Sequence, residues 1–262
     1  MRSCQPRGIL LALASVVSLL PAVTLPFPTF AGEAADFLAG RERVCVNCKL
    51  ADASLKQREL SGVDLSGVDL SHAVLHRARL GGAKLDGANL TDANLNKSDL
   101  RSASLAAVKA ENAMFYGSNL SAADLTGADL AGAKMQTAYL MRARLDHATI
   151  SDAMLTSARL DDASLRQADL RRTNLVEASL RRADLEGANL DNSGLIRAQL
   201  RDARLKDAKM TQADLYGADL TGADLSGADL SGARLIGAVL TGAILHGAKL
   251  SGTIMPDGAV HE

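Results

Sequence analysis

The sequence predicts an all-β solenoid, wound from one short unit that repeats without interruption. Three observations carry this prediction. An apolar residue stands at every fifth position from Leu50 to Met255, a small residue precedes nearly all of them by two places, and residues twenty apart carry opposite charges. Aromatic residues make up 3% of the 262 residues and tryptophan is absent, so the core must consist mainly of leucine and alanine. Such a core is too narrow for a broad ligand cavity.

Residues 1–31 are predicted to form a signal peptide. Arg2 and Arg7 precede a run of small and apolar residues at positions 9–20, and three prolines then break any helix. The run is too short to cross a bilayer comfortably, although a retained anchor is the alternative. We expect cleavage after Ala31, no stable membrane span afterwards, and export to a periplasm, to the medium or to a thylakoid lumen.

Residues 32–49 are predicted to cap the N-terminal end of the solenoid. A short helix is expected over residues 33–43. Its apolar side could close the opening of the first coil, and that side contains Ala34, Ala35, Phe37 and Leu38.

Cys45 and Cys48 form a C-x-x-C pair just before the first inward leucine. In an exported chain two close cysteines are expected to oxidise, so a structural disulfide is the first interpretation. A redox role is an alternative that requires an exposed thiol of low pKa. Structural zinc would require two further ligands nearby, and the nearest histidines are His72 and His76.

Residues 50–255 contain 42 units in a single phase. Leucine occupies 36 of the 42 fifth positions, and alanine stands two places before it in 32 of them. A helix cannot place these leucines on one side, because a period of five turns each of them 140° away from the one before. A flat strand would send successive leucines to opposite faces. A chain that turns a corner with every unit satisfies the pattern, because each leucine then points toward a common axis. Arg58 is the one residue at the small inward positions that is neither small nor apolar.

Charge spacing predicts that four units close one coil. Between Asp124 and Lys249, residues twenty apart form 16 pairs of opposite sign and one like pair, Arg181 with Arg201, whereas a spacing of 25 gives 8 and 7. With 42 units in fours, the rod has about ten coils and a length of roughly 50 Å. Two charge ladders run along it: Asp146, Arg166, Glu186 and Lys206, and Arg142, Asp162, Arg182 and Asp202.

Stretches such as residues 218–222, Ala-Asp-Leu-Thr-Gly, resemble the pentapeptide-repeat family, whose motif is A-(D/N)-L-x-x. The resemblance covers residues 48–255. It implies a right-handed, four-sided β-helix in which leucine and alanine point inward and the other three positions point outward. Many members also carry a C-x-x-C-x-L sequence directly before their repeats.

Two apolar surfaces are candidate interaction sites. One is a column of corner residues at twenty-residue intervals, which contains Tyr116, Val176, Ile196, Tyr216 and Ile236. It could equally be a ladder that only steadies the stack. The other is the C-terminal end, with Val239, Ile244 and Ile254, where unpaired backbone favours self-association as a homodimer. The tail, residues 256–262, is expected to be too short to cover this end.

The sequence favours a non-enzymatic, exported scaffold that presents a rigid face or end to a protein that the sequence does not identify. No catalytic set, metal spacing or cofactor motif stands out, and the recurring aspartates are expected to bond the turn backbone. A formal charge of −1 gives no field that would attract nucleic acid. Two alternatives are a DNA mimic that binds topoisomerases, as in one branch of the family, and a periplasmic thiol-redox protein using Cys45 and Cys48.

Overall fold

The computed structural model describes residues 30–262, so most of the predicted signal peptide lies outside the described residues. Helix α1 spans Phe30–Leu38. From Val44 onward the regular structure consists of single-residue parallel bridges between residues twenty apart, the first joining Val44 to Asp64 and the last Arg234 to Ile254. The predicted twenty-residue coil is therefore confirmed, although the coils contact one another through isolated bridges instead of extended strands.

Each coil has four outward bridge positions, and these stack into four faces. We name each face for its first member: the Val44, Lys49, Ser54 and Glu59 faces. Every face therefore consists of residues at intervals of twenty. Two corner residues separate each face from the next.

The backbone hydrogen bonds explain why the unit has five residues. Three of every five N–H groups bond to a neighbouring coil: Leu65 donates to Lys84, Gly67 donates to Asp86, and Asp69 donates back to Cys48, with N···O distances of 2.8 to 2.9 Å. The small inward residue closes the corner turn, as Ala73 does on the Leu70 carbonyl at 3.0 Å. The second corner residue has a positive φ, as expected for the third position of a type II turn.

The fifth N–H group is bonded by the outward aspartate or asparagine. The Oδ1 of Asp124 accepts from the N–H of Thr126 at 3.0 Å, and the Oδ1 of Asn89 accepts from that of Thr91 at 3.1 Å. This confirms that the recurring aspartates bond the turn backbone. Because buried backbone N–H groups require partners, the motif prefers Asp or Asn at this position.

The core is a continuous column of buried side chains. Inward leucines from Leu50 to Leu235 are at most 3% exposed. Ala110 and Phe115, the small and large exceptions within one coil, are both fully buried. A column of buried leucine and alanine side chains is close-packed, as protein interiors generally are.

Helix α1 caps the N-terminal end, but its bounds and contacts differ from the prediction. It ends at Leu38, not at residue 43, and it begins at Phe30, before the predicted cleavage point at Ala31. Phe37 is 1% exposed and joins the core, and Ala34 is half-buried against it. Ala35 and Leu38 were expected on the packed side but are exposed, because the short helix presents only one narrow stripe to the first coil.

Two further contacts hold this cap. Cys45 and Cys48 form a disulfide with both residues buried in the core. The misfit Arg58 is half-buried, and its guanidinium donates to the carbonyl oxygens of Leu38 at 2.9 Å and Phe37 at 3.3 Å. These carbonyls belong to the last turn of α1, which favours a cation. Arg58 therefore anchors the cap.

The C-terminal tail folds back on the last coil. Val260 forms an antiparallel bridge with Ile254, and the N–H of His261 donates to the Thr253 carbonyl at 2.8 Å. The tail was expected to be too short to cover this end. It covers one side, the Ser54 face, because a tight turn at residues 256–258 reverses the chain.

Candidate functional site

The C-terminal end is open on the sides that the tail does not reach. Leu240, Leu245 and Leu250 point inward like the other leucines of the repeat, yet they are only half-buried. Within residues 30–262 their N–H groups have no backbone acceptor, whereas the corresponding N–H of Leu235 donates to Ile254 at 2.8 Å. This end thus combines apolar side chains with free hydrogen-bond donors.

Outward side chains extend the apolar surface around the open end. Val239 is 45% exposed and Ile244 is 50% exposed. Ile254, predicted to join them, is half-buried because Val260 of the tail pairs beside it. Val260 is itself exposed and was not anticipated as part of this surface. An apolar rim with unpaired edge N–H groups can bind another chain by extending the sheet.

The corner column of apolar residues is less accessible than the sequence suggested. Tyr116 and Tyr216 are exposed, but Val176, Ile196 and Ile236 are half-buried. The Tyr216 ring also lies 5.1 Å from the guanidinium carbon of Arg234. The column therefore has the features of a stacking ladder more than those of a free apolar stripe.

Charges on the rod are extensively paired. Arg182 bonds both oxygens of Asp162 at 2.7 Å, as the corner ladder predicts, and Arg166 bonds Glu186 at 3.0 Å. Asp146 instead accepts from the backbone N–H of Arg166 at 3.0 Å. Each of the four faces carries both signs of charge. A DNA mimic would require strongly negative faces.

The shifted carboxyl pKa values in the described part of the chain follow from ion pairs and turn hydrogen bonds. Hydrogen bonds from the Arg171 guanidinium hold the pKa of Asp169 below its ordinary value, and Arg172 has the same effect on the pKa of Asp152. Every other described carboxyl group with a shifted pKa is also shifted downward. Partial burial, Arg77 and Lys56 lower the pKa of His76. A general acid at neutral pH requires the opposite shift in a carboxyl.

Metal, redox and membrane features are the remaining candidates within residues 30–262. No three His, Cys, Asp or Glu side chains in this range cluster as metal ligands. Cys45 and Cys48 are 1% and 0% exposed, so neither presents the accessible thiol that a redox role requires. No helix in the same range has the length and apolarity needed to cross a membrane.

The family model for pentapeptide repeats matches this chain in eight copies, over residues 48–87, 83–121, 123–162, 158–195, 198–235 and 218–255. The chain belongs to the pentapeptide-repeat family. No curated protein is similar enough to match it. As a pentapeptide-repeat protein it is a member of a group of generally non-enzymatic scaffolds, and its solenoid fold is that of the family.

Solved structures of other pentapeptide-repeat proteins are similar to it. HetL of the cyanobacterium Nostoc sp. strain PCC 7120, involved in heterocyst differentiation regulation, is 34% identical, with 88% of this chain and 98% of HetL covered and a TM-score of 0.71. Rfr23 of Cyanothece 51142 is 35% identical over 38% of this chain and 59% of its own, with a TM-score of 0.26. A thylakoid-lumen protein of Arabidopsis thaliana is 31% identical over 44% and 69%, with a TM-score of 0.17.

Two features of this pentapeptide-repeat protein were missed from the sequence. The anchoring of the cap by Arg58 was not predicted, although a charged residue at an inward position was a signal that something unusual stands there. The pairing of Val260 with Ile254 was not predicted either. Its one signal in the sequence is the turn that Pro256 and Gly258 favour.

Proposed function

We propose that this protein is an exported, non-enzymatic scaffold that binds proteins, with the open C-terminal end as a site of self-association. The contrast between the two ends is the observation that carries this proposal. The N-terminal end is covered by α1, Phe37 and the disulfide, whereas the inward leucines of the last coil remain half-exposed. Export is supported by the signal features of residues 1–31.

The apolar rim supports a second copy as the partner of this end. A twofold axis places the same surface on both subunits, so Ile244 and Val239 of one copy meet apolar residues of the other. The unpaired N–H groups then need acceptors from the second chain or from water. A closed contact of this kind ends in a dimer and not in a filament.

The experiment compares two lysine substitutions on the same face. Ile244→Lys lies at the open end and Val44→Lys lies at the capped end, and the two native side chains are 50% and 54% exposed. We expect the wild-type protein and Val44→Lys to form dimers by light scattering, and Ile244→Lys to be monomeric because a charge is costly in an apolar interface. A wild-type monomer at all concentrations, or equal behaviour of the two variants, contradicts self-association at this end.

A further inference from the structure

A surface recess of about 270 Å³ lies on the Glu59 face, well away from the open end. Its floor is formed by Ser179 and Ala158, because a serine stands here between two longer residues of the same face, Arg159 and Gln199. Glu177 borders one side, and Arg181 with Asp161 borders the other. The recess is thus a polar depression on this side of the rod.

The recess lies where the charge ladder breaks. Arg181 and Arg201 form the one like pair twenty residues apart between Asp124 and Lys249. Arg201 bonds Asp219 at 3.2 Å, but the guanidinium of Arg181 donates to Gln199, a neutral amide. Within the described residues Arg181 has no carboxylate partner within 4.0 Å. Asp161 precedes Arg181 in this column, so the alternation of sign fails only on the Arg201 side, where a bound anion would supply the missing negative charge.

The nearby carboxylates do not satisfy Arg181. The Oδ1 of Asp161 accepts from the Ser179 hydroxyl and from the backbone N–H of Arg181 at 3.3 Å, and its Oδ2 lies 3.9 Å from the Nε of Arg159. Glu177 is paired with Arg197 at 2.7 Å. Within the described residues, neither acidic side chain that lines the recess pairs with the guanidinium of Arg181.

Arg159 adds a second guanidinium, to which no carboxylate of the described residues is hydrogen-bonded. Its nearest carboxylate oxygen, on Asp161, is 3.9 Å away, which is too far for a hydrogen bond. Its guanidinium carbon lies 5.9 Å from the centre of the Tyr139 ring, and Tyr139 is 39% exposed. Exposed tyrosine and arginine side chains of this kind are those most often found at the centres of protein interfaces.

We propose that this recess binds a carboxylate side chain of an acidic segment in a partner protein. Arg181 and Arg159 donate to the two carboxylate oxygens, as guanidinium groups do in charge-assisted pairs. The Tyr139 ring provides an apolar contact beside them. This inference rests on the proposed function, since it assigns a partner chemistry to a scaffold, but it uses a side of the rod and not its end.

The test measures binding of a short, fluorescently labelled poly-glutamate peptide to the full-length protein by anisotropy at low salt. We expect Arg181→Gln to weaken binding about tenfold, because a charge-assisted pair is lost. The control is Arg182→Gln, one residue along the chain, whose guanidinium is already bonded to both oxygens of Asp162 at 2.7 Å. It should change the affinity by less than about twofold, and salt should weaken binding to the wild type.

Three results would overturn the proposal. The first is no binding at millimolar peptide, and the second is an equal effect of Arg181→Gln and Arg182→Gln, which would indicate diffuse attraction to the whole rod. The third is displacement of the peptide by inorganic phosphate at much lower concentration than by acetate, which would indicate a phosphate site. Dimerisation and its loss in Ile244→Lys report on the C-terminal end alone, so either proposal can fail while the other stands.

Discussion

The outward aspartate or asparagine shows how one side chain completes the backbone bonding of a unit. Four of the five N–H groups find carbonyl acceptors in neighbouring coils or in the corner turn. The fifth is bonded by Asp219 in the Thr221 unit at 3.0 Å and by Asn89 in the Thr91 unit at 3.1 Å. The structural role of these residues could be predicted from the sequence. A residue type that recurs at the same position of many units is expected to make the same structural contact in each of them.

The charge on these aspartates makes stability sensitive to acid. Hydrogen bonds from the Thr221 side chain hold the pKa of Asp219 below its ordinary value, and those from Ser231 do so for Asp229. A carboxyl whose pKa is lowered on folding stabilises the protein above its unfolded pKa and loses that contribution as the pH falls through the folded pKa. We expect a constant Tm from pH 7 to about pH 5 and a decrease below about pH 4.

Replacing Asp219 and Asp229 together by asparagine tests this explanation. Asparagine keeps the bond to the backbone N–H, as Asn89 does, but it does not titrate. The double variant should have a slightly lower Tm at pH 7, because the ion pairs with Arg201 and Lys249 are lost. Its Tm should decrease less between pH 5 and pH 3 than that of the wild type. An equal decrease would mean that other groups cause the acid sensitivity.

At the scale of the element, the cap depends on a contact that sequence reasoning could not place. The helix was expected at residues 33–43, and the structure has it at Phe30–Leu38. The five-residue pattern does not extend into this segment, so it gives no information about the bounds of the helix. Arg58 was recognised only as a misfit, because its partner carbonyls lie twenty residues upstream on an element without a repeat.

The contribution of Arg58 can be measured with a matched pair of variants. Arg58→Gln removes the charged donor to Leu38 and Phe37, whereas Lys56→Gln removes an exposed charge from the same coil. We expect Arg58→Gln to cost about 1 to 3 kcal/mol in stability of the cap, since two carbonyls lose a charged partner. Hydrogen exchange of the α1 amides should accelerate in Arg58→Gln only. Unchanged exchange there would show that Phe37 and the disulfide suffice.

At the scale of the whole molecule, the core was almost entirely predictable and the recess was not. The number of residues in a coil could be predicted from the spacing of opposite charges. The buried positions could be predicted from the period of five, because each unit places its residues in the same environment. The recess on the Glu59 face arises where the small Ser179 stands between the longer Arg159 and Gln199, and the period of five does not show whether these longer side chains cover it. The like pair Arg181 and Arg201 is visible in the sequence beside it, but the sequence does not show how Gln199 and Asp161 are oriented.

The place of an inserted residue within the five-residue unit determines how strongly the insertion destabilises the protein. A glycine inserted between Asp124 and Leu125 would break the bridge from Asp124 to Arg144 and turn Leu125 out of the core. A glycine inserted in the following corner, between Thr126 and Gly127, only lengthens a turn. The first insertion should cost about 3 kcal/mol or more, the range of a lost core leucine, and the second much less. Chemical denaturation measures both, and equal costs would contradict the phase argument.

The stacked coils also make the molecule a spacer of fixed length. Each coil adds about 4.8 Å to the rod, so the distance between the recess at Ser179 and the end at Ile244 is set by the number of residues between them. Duplicating a twenty-residue coil between these two sites would lengthen this separation in one step and leave each site on its present face of the rod. Duplicating a single five-residue unit would instead swing one site a quarter turn around the rod, so the two kinds of duplication would have different effects on partners bound at both places.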